Sequence, residues 1–138
     1  LDPTKADSYG KTNFINPSRT YPFDGNLATA GSMVSTNSTS WVDADAGVDM
    51  SVVGRYMVLA KIGLRIASGG PGYVGLFGTT DFTEWFALWG TTTNSSSEAI
   101  VYVFVKPINI RAVKVMFRQY SSSYTVYCRT YELSLYKV

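Results

Sequence analysis

Residues 56–78 read YMVLAKIGLRIASGGPGYVGLFG, and this stretch indicates the fold class. Residues 56–67 form a long, mostly apolar run, which is typical of a strand buried in a β-sandwich. SGGPG at 68–72 is a turn signal, and residues 73–78 resume a strand-like apolar pattern. The stretch therefore predicts two β-strands joined by a turn.

Similar apolar runs, separated by Gly, Ser and Thr clusters, continue on both sides of this stretch, while helix signals are weak. The runs cover residues 40–47, 85–90, 98–107, 111–120 and 124–138. Pro107 is expected to end the third of them, because proline cannot donate a hydrogen bond to a sheet. A spacing of roughly ten residues between strands is typical of an all-β sandwich or jelly roll.

The length of 138 residues suits one domain covering residues 1–138. Residues 1–22 are polar and irregular, and we expect them to wrap around the outside of the sheets. The chain begins at Leu1 and not at Met, so we expect a processed protein or an excised domain.

The composition excludes several classes of protein. Hydrophobic residues make up 46% of the chain and charged residues 16%, which is typical of a globular protein and not of a disordered one. The net charge is +2 with scattered Lys and Arg, so no basic stripe indicates a nucleic-acid partner. No apolar run reaches about 18 residues, so we expect no transmembrane segment.

Cys128 is the single cysteine, and the chain contains no histidine. Cys128 lies in the strand-like run YTVYCRTY, where we expect a small buried hydrophobic side chain and not a nucleophile. The absence of histidine excludes Ser-His-Asp and Cys-His catalytic arrangements within this chain.

The three tryptophans have flat apolar faces that can stack on a sugar ring or fill the core. We expect Trp41 and Trp85 in the core, whereas Trp89 stands beside the polar loop TTTNSSS and is the more open. Four further polar or aromatic side chains lie near loop junctions and could line a shallow polar site: Arg65, Tyr73, Tyr120 and Tyr124.

Asp43 and Asp45 lie two residues apart on a predicted strand, so both side chains should point to the same face. Paired carboxylates can perform acid/base catalysis or glycoside cleavage. The alternative is a polar strand end whose aspartates accept hydrogen bonds from neighbouring backbone, and this alternative is favoured. An enzyme is therefore the least favoured hypothesis, and we predict that the chain is not one.

Residues 23–31 read FDGNLATAG, which is a turn signal without the alternating strands of a hairpin around it. Calcium prefers six to eight oxygen ligands, and Asp24, Asn26 and Thr29 offer several from one short segment. Glu132 is one of few further acids and stands in an apolar strand, where a buried carboxylate needs a partner. The residue chemistry allows a calcium loop here without requiring one.

The order of five motifs resembles that of the discoidin domain, also called the coagulation factor V/VIII C-type domain, a group that includes the family 32 carbohydrate-binding modules. The motifs are FDGNLAT at 23–29, SWVDADAG at 40–47, YVGLFGTTDFTEW at 73–85, NIRAVKV at 109–115 and YELSLY at 131–136. The resemblance covers residues 20–138 and implies an eight-stranded jelly-roll β-sandwich of the galactose-binding type.

The resemblance also implies a structural calcium ion, remote from any sugar site. Its ligands by position would be Tyr21, Asp24, Asn26, Thr29 and Glu132. Galactose-binding members commonly use a histidine with an arginine and an asparagine, but this chain has no histidine and only Arg65 lies near a matching position.

We therefore predict a noncatalytic carbohydrate-binding module of a secreted or surface protein, which binds a carbohydrate or glycoconjugate among the loops at one end. The predicted ligand-binding residues are Arg65, Trp89 and Tyr124. The alternative is a structural or adhesive module of an extracellular assembly or virus particle, which acts through protein contacts or self-association.

Overall fold

The computed structural model describes residues 4–5, 33–67, 70–120 and 124–138. These residues contain seven strands and no helix. The strands are β1 (Thr4–Lys5), β2 (Val34–Thr36), β3 (Val42–Ile66), β4 (Gly72–Thr79), β5 (Phe86–Thr93), β6 (Ala99–Gln119) and β7 (Val126–Lys137). Every pair of neighbouring strands is antiparallel. The predicted all-β class is confirmed.

The long strands β3 and β6 connect two groups of strands. The strand order is β1-β7-β3-β6-β4-β5, and β2 also pairs with β7. We call residues 42–49, residues 112–119, β4 and β5 the β4 half, and residues 56–66, residues 99–105 and β7 the β7 half. One buried apolar cluster draws side chains from both halves, which is consistent with the predicted jelly-roll β-sandwich.

Alternation along β6 separates the core from the outer face of the β4 half. Val113, Val115 and Phe117 are almost completely buried, whereas Lys114 and Arg118 are half-buried on the opposite face. Other residues of the same core cluster include Val48, Ile62, Leu64, Val74, Leu76, Leu133 and Leu135. Cys128 belongs to the same cluster, and burial raises the pKa of its thiol, as expected for a structural cysteine.

The strands predicted at 40–47 and 56–67 are parts of one continuous strand, so their separation was wrong. The pairing register of β3 with β6 shifts between Asp49 and Gly54, where extra residues of β3 bulge out of the ladder. Ser51 lies in this bulge with a positive φ of 73°, and its N–H donates to Asp49 Oδ1 at 2.8 Å. A bulge thus absorbs the extra residues without ending the strand.

Pro107 does not end β6, contrary to expectation. Tyr56 pairs with Ile108, and Val58 pairs with Val105, so the register shifts beside Pro107. A proline is tolerated in a strand at such an irregularity, because no ladder hydrogen bond from its nitrogen is needed there.

Most of residues 1–22 lie outside the described residues, and the single-domain assignment stays a prediction. Thr4 and Lys5 pair with Lys137 and Tyr136 at the end of β7. The described part of the chain contains no helix long and apolar enough to cross a membrane.

Candidate functional site

Several connections between strands meet at one end of the molecule, which we call the loop end. Four backbone hydrogen bonds join them: Ile66 N–H to Ser95 O at 3.0 Å, Ala67 N–H to Thr125 O at 2.9 Å, Tyr120 N–H to Pro71 O at 3.2 Å and Gln119 N–H to Ser38 O at 2.8 Å. These hydrogen bonds therefore join the β3–β4, β5–β6 and β6–β7 connections and the segment before β3.

A row of side chains crosses the outer face of the β4 half beside the loop end. Tyr73 is the register partner of both Arg118 in β6 and Thr92 in β5. Trp41 directly precedes Val42, and Val42 pairs with the residue before Arg118, so Trp41 adjoins Arg118 from the other side. We call Trp41, Arg118, Tyr73 and Thr92 the Arg118 row.

The Arg118 guanidinium stacks on two rings of this row. Its central carbon lies 4.3 Å from the centroid of the Tyr73 ring and 5.3 Å from that of Trp41. Both distances are within the range of cation–π attraction. Trp41 is 39% exposed, so much of its surface remains available to a ligand.

Gly75 makes room for the side chain that supports Trp41. A Cβ at Gly75 would lie 2.5 Å from Cε2 of Phe77, because the Phe77 ring packs over this glycine. The Phe77 ring in turn contacts Trp41 edge-on, with centroids 5.1 Å apart and an interplanar angle of 68°. The absence of a side chain at residue 75 thus positions Phe77, and Phe77 positions Trp41.

Two other cations on the outer face of the β4 half stack on rings but also pair with acids. Lys114 Nζ lies 4.3 Å from the Trp85 ring centroid and 3.1 Å from Asp43 Oδ1. Arg111 lies 4.9 Å from the Phe82 ring centroid.

Arg111 also holds Asp49 with two hydrogen bonds, from Nε at 3.0 Å and from an Nη at 3.3 Å. Burial alone would raise the pKa of Asp49. The hydrogen bonds from Arg111 and from the Ser51 N–H, with the positive charge of Arg111, outweigh this effect and lower that pKa.

The outer face of the β7 half contains a third such pair. Arg129 Nε lies 3.6 Å from Glu98 Oε2, a separation that allows Coulomb attraction but is too long for a hydrogen bond. The Tyr131 hydroxyl donates a hydrogen bond to Glu98 Oε1. Burial raises the pKa of Tyr131, and the hydrogen bond with Glu98 and its negative charge raise it further.

Arg118 differs from these three cations, because no acidic side chain among the described residues pairs with it. Arg65 shares this property: its guanidinium stacks on the Tyr127 ring at 3.9 Å and has no acidic partner in the described part of the chain. Both arginines lie at strand ends beside the loop end, so two guanidinium groups without a paired acid among the described residues lie near that end.

The three predicted ligand-binding residues occupy different positions. Arg65 lies near the end of β3, and Tyr124 is half-buried in the connection before β7, so both belong to the loop end. Trp89 is opposite Leu76 in the β4–β5 register and packs against the core cluster. The structure therefore places Arg65 and Tyr124 at the same end and Trp89 farther along β5.

The expectation that Trp41 and Trp85 fill the core was wrong. Trp41 is exposed on the outer face, and Trp85 is half-buried against Phe82 and Lys114, outside the core cluster. The sequence contained a signal for Trp41: Val42 and Ala44 alternate toward the core, which puts residue 41 on the opposite face.

Four of the five predicted calcium ligands lie outside the described residues: Tyr21, Asp24, Asn26 and Thr29. Glu132 is described and is 3% exposed in β7, where it is opposite Lys61 in the register. A buried carboxylate fits the chemistry of a calcium ligand. Within the described part of the chain, no group of three or more His, Cys, Asp or Glu residues could hold a metal ion.

The paired aspartates of the catalytic hypothesis are in an irregular part of β3. The register with β6 shifts between Asp43 and Gly47, so regular alternation does not extend from Asp43 to Asp45. Asp43 pairs with Lys114, and the side chain of Asp45 lies outside the described residues.

No protein-family model matches the chain. No curated protein matches it at the level required for a relative. The chain is similar to several solved carbohydrate-binding modules, with low sequence identity.

One is the chitosan-binding module 2 of a chitosanase/glucanase from Paenibacillus sp. IK-5, solved with chitotriose, at 18% identity, 85% coverage of this chain, 84% of that chain and a TM-score of 0.47. Another is CBM32-1 of a family 31 glycoside hydrolase from Clostridium perfringens, at 14% identity, 94% and 89% coverage and a TM-score of 0.46. A third is the CBM32 of AlyQ in complex with 4,5-unsaturated mannuronic acid, at 12% identity, 91% and 89% coverage and a TM-score of 0.46.

Proposed function

We propose that the chain is a noncatalytic carbohydrate-binding module that binds a glycan at the loop end, on the Arg118 row. One observation carries the proposal: Trp41 is exposed on the outer face beside a guanidinium that stacks on two rings and has no acidic partner among the described residues. A flat aromatic face covers the apolar face of a sugar, and Arg118 and Thr92 orient its polar groups.

Arg65 and Tyr124 extend this surface at the loop end, whereas Trp89, the third residue predicted from the sequence, packs against the core cluster farther along β5 and lies outside the Arg118 row. A noncatalytic role is supported by Asp43, because Lys114 engages the carboxylate that the catalytic alternative requires. We also propose that the module is part of a secreted or surface protein, where it would meet its glycan.

The test is a glycan-array screen followed by calorimetry with the sugars that bind. Trp41→Ala should abolish measurable binding, because the stacking face is lost. Phe86→Ala is the matched control: Phe86 is 38% exposed, close to the 39% of Trp41, but it begins β5 and lies outside the row. Binding that survives Trp41→Ala unchanged, or no sugar bound at millimolar concentration, contradicts the proposal.

We also propose a structural calcium ion held by Tyr21, Asp24, Asn26, Thr29 and Glu132. The buried position of Glu132 in β7 supports this set, since a buried carboxylate is stabilised by a cation. The ion would supply charge compensation and connect the chain before β2 to β7, and it would take no part in sugar binding.

A second function, as an adhesive module that acts through protein contacts, is favoured by a different surface. Ile100, Tyr102 and Phe104 alternate along the first part of β6 and are 38%, 69% and 57% exposed. Residues 99–105 pair with β3 on one side, and no strand of the described segments pairs with their other side. An exposed apolar strand edge of this kind favours pairing with another chain.

A second copy of the same chain fits this edge. Antiparallel pairing centred on Tyr102 would place Ile100 opposite Phe104 of the second copy and Glu98 opposite its Lys106, so opposite charges would meet at both ends. Tyr102→Cys should then cross-link to itself with a short thiol reagent, whereas Ile100→Cys alone should not. The native cysteine is buried and does not interfere. A monomer at high concentration in sedimentation equilibrium contradicts this candidate.

A further inference from the structure

We propose that the Arg118 row selects glycans that carry a carboxylate, that is, sugars of the uronic-acid class. This inference depends on the proposed carbohydrate-binding function and adds the chemical class of its ligand. It rests on a difference in charge compensation between Arg118 and three other ring-stacked cations, Arg111, Lys114 and Arg129, each of which pairs with an acid.

Arg118 is the cation of the Arg118 row, and in the described part of the chain its guanidinium makes neither an ion pair nor a hydrogen bond. Its contacts are the rings of Tyr73 and Trp41. A guanidinium has five N–H donors in a planar fork, and this fork matches the two oxygens of a carboxylate. The hydrogen-bonding capacity of Arg118 is therefore available to a ligand.

The acid closest in sequence to the row does not neutralise Arg118. Asp43 lies two residues after Trp41, but its Oδ1 is 3.1 Å from Lys114 Nζ. Asp81 is at the other end of β4, where its Oδ1 accepts hydrogen bonds from the N–H groups of Thr83 and Glu84. The carboxylates of Asp43, Asp49 and Asp81 are thus engaged by groups other than Arg118.

The position of Arg118 also restricts its motion. The two rings hold the half-buried guanidinium, and Phe77 supports the Trp41 ring. A positioned arginine loses less conformational freedom on binding than a mobile surface lysine, and it adds geometric specificity for a carboxylate. The neighbouring Trp41 face would cover the ring of the same sugar.

The experiment compares each acidic sugar with its own neutral derivative. Calorimetry at neutral pH and low salt would measure trigalacturonic acid and trimannuronic acid, each beside its methyl ester, which removes the charge and keeps the sugar. We expect at least one acid to bind about tenfold more tightly than its ester, the size expected for one hydrogen-bonded charge pair. Added NaCl should weaken binding of the acid more than binding of the ester.

Arg118→Gln should remove this preference while leaving weak binding of the ester. Arg55→Gln is the matched control, because it removes the same charge from an exposed position of β3, opposite Asn109 in the register. Arg118→Lys should recover part of the preference, since a lysine keeps the charge but lacks the planar fork. Thermal melting of each variant would verify that it is folded.

The outcomes separate this inference from the proposed function. Acid and ester bound equally well by the wild type, or a preference that persists in Arg118→Gln, would overturn the inference and leave sugar binding intact. Binding of neutral glycans alone on the array would do the same. If no glycan binds, both proposals fail.

Discussion

The two ends of the outer face of the β4 half use the same chemistry with different results. Away from the loop end, Arg111 and Lys114 stack on Phe82 and Trp85, and each also pairs with an aspartate. Beside the loop end, Arg118 stacks on two rings, and no acid among the described residues pairs with it. In the first arrangement the cations are neutralised within the protein, whereas in the second the charge and the N–H donors of Arg118 remain available to a ligand.

The largest expected effect is the difference in stability between a substitution on the inner face of β6 and one on its outer face. Phe117→Ala should lower the free energy of unfolding by about 3–5 kcal/mol, because Phe117 is 1% exposed and its truncation leaves a cavity. The adjacent substitution Arg118→Gln should change it by no more than about 0.5 kcal/mol. Urea denaturation of both variants measures the difference, and equal losses would mean that Arg118 is a structural residue and not a site residue.

Chelation tests a different region, the proposed calcium site that includes Glu132 of β7. With calcium at about 100 times its dissociation constant, the ion should contribute about 2.7 kcal/mol of stability, so EDTA should lower the melting temperature. Asp24→Ala and Glu132→Gln should each abolish the difference between melts with calcium and with EDTA. A wild-type melt that is indifferent to chelator would rule out the calcium ion.

Gly75→Ala tests whether the support of Trp41 is specific. The new methyl group would displace the Phe77 ring, with an expected cost of about 1–3 kcal/mol and weaker sugar binding. Gly90→Ala is the control, because a Cβ there meets only Val74 O at 3.5 Å, an ordinary contact. If the two variants have the same stability and the same affinity, then Phe77 does not hold Trp41 in place.

The smallest expected effect concerns the pair of Asp49 with Arg111, at the end of the outer face away from the loop end. Asp49→Asn should cost about 0.2–1 kcal/mol at neutral pH, because it breaks a partly exposed pair with Arg111. The pKa of Asp49 in the folded protein is below its ordinary value of 3.8. The contribution of the pair is therefore fully present above pH 3.8 and is lost as the pH falls through the lowered pKa.

The pH dependence can be measured as the difference in unfolding free energy between wild type and Asp49→Asn. The difference should be constant from neutral pH down to about pH 5 and shrink in more acidic solution. Sugar binding at neutral pH should be unaffected by Asp49→Asn. A loss of binding in this variant would mean that the two ends of the face are coupled.

Much of the fold could be predicted from the sequence, because strand signals are local. The alternation of Val113, Val115 and Phe117 with Lys114 and Arg118 identified both faces of β6 correctly. The continuity of β3 and β6 was missed, since a bulge at Ser51 and a register shift at Pro107 resemble strand ends in sequence.

The candidate site was only partly predictable, because it is formed across strands. The resemblance and the loop junctions pointed to Arg65 and Tyr124, which the structure places at the loop end. The stacking of Arg118 between Trp41 and Tyr73 depends on the register of three strands, which no single motif encodes. The pairing of Arg111 and Lys114 with aspartates, which distinguishes Arg118, depends on the same long-range register.

The most direct test of the account is an NMR titration that follows the indole N–H signals of the three tryptophans. As an oligosaccharide saturates the protein, the Trp41 signal should move most. The Trp85 signal should hardly move, because Trp85 lies beside Lys114, which is already paired with Asp43. These signals resolve the two ends of the outer face in one experiment. Saturation that leaves Trp41 unchanged, or that moves Trp85 instead, would contradict sugar binding on the Arg118 row.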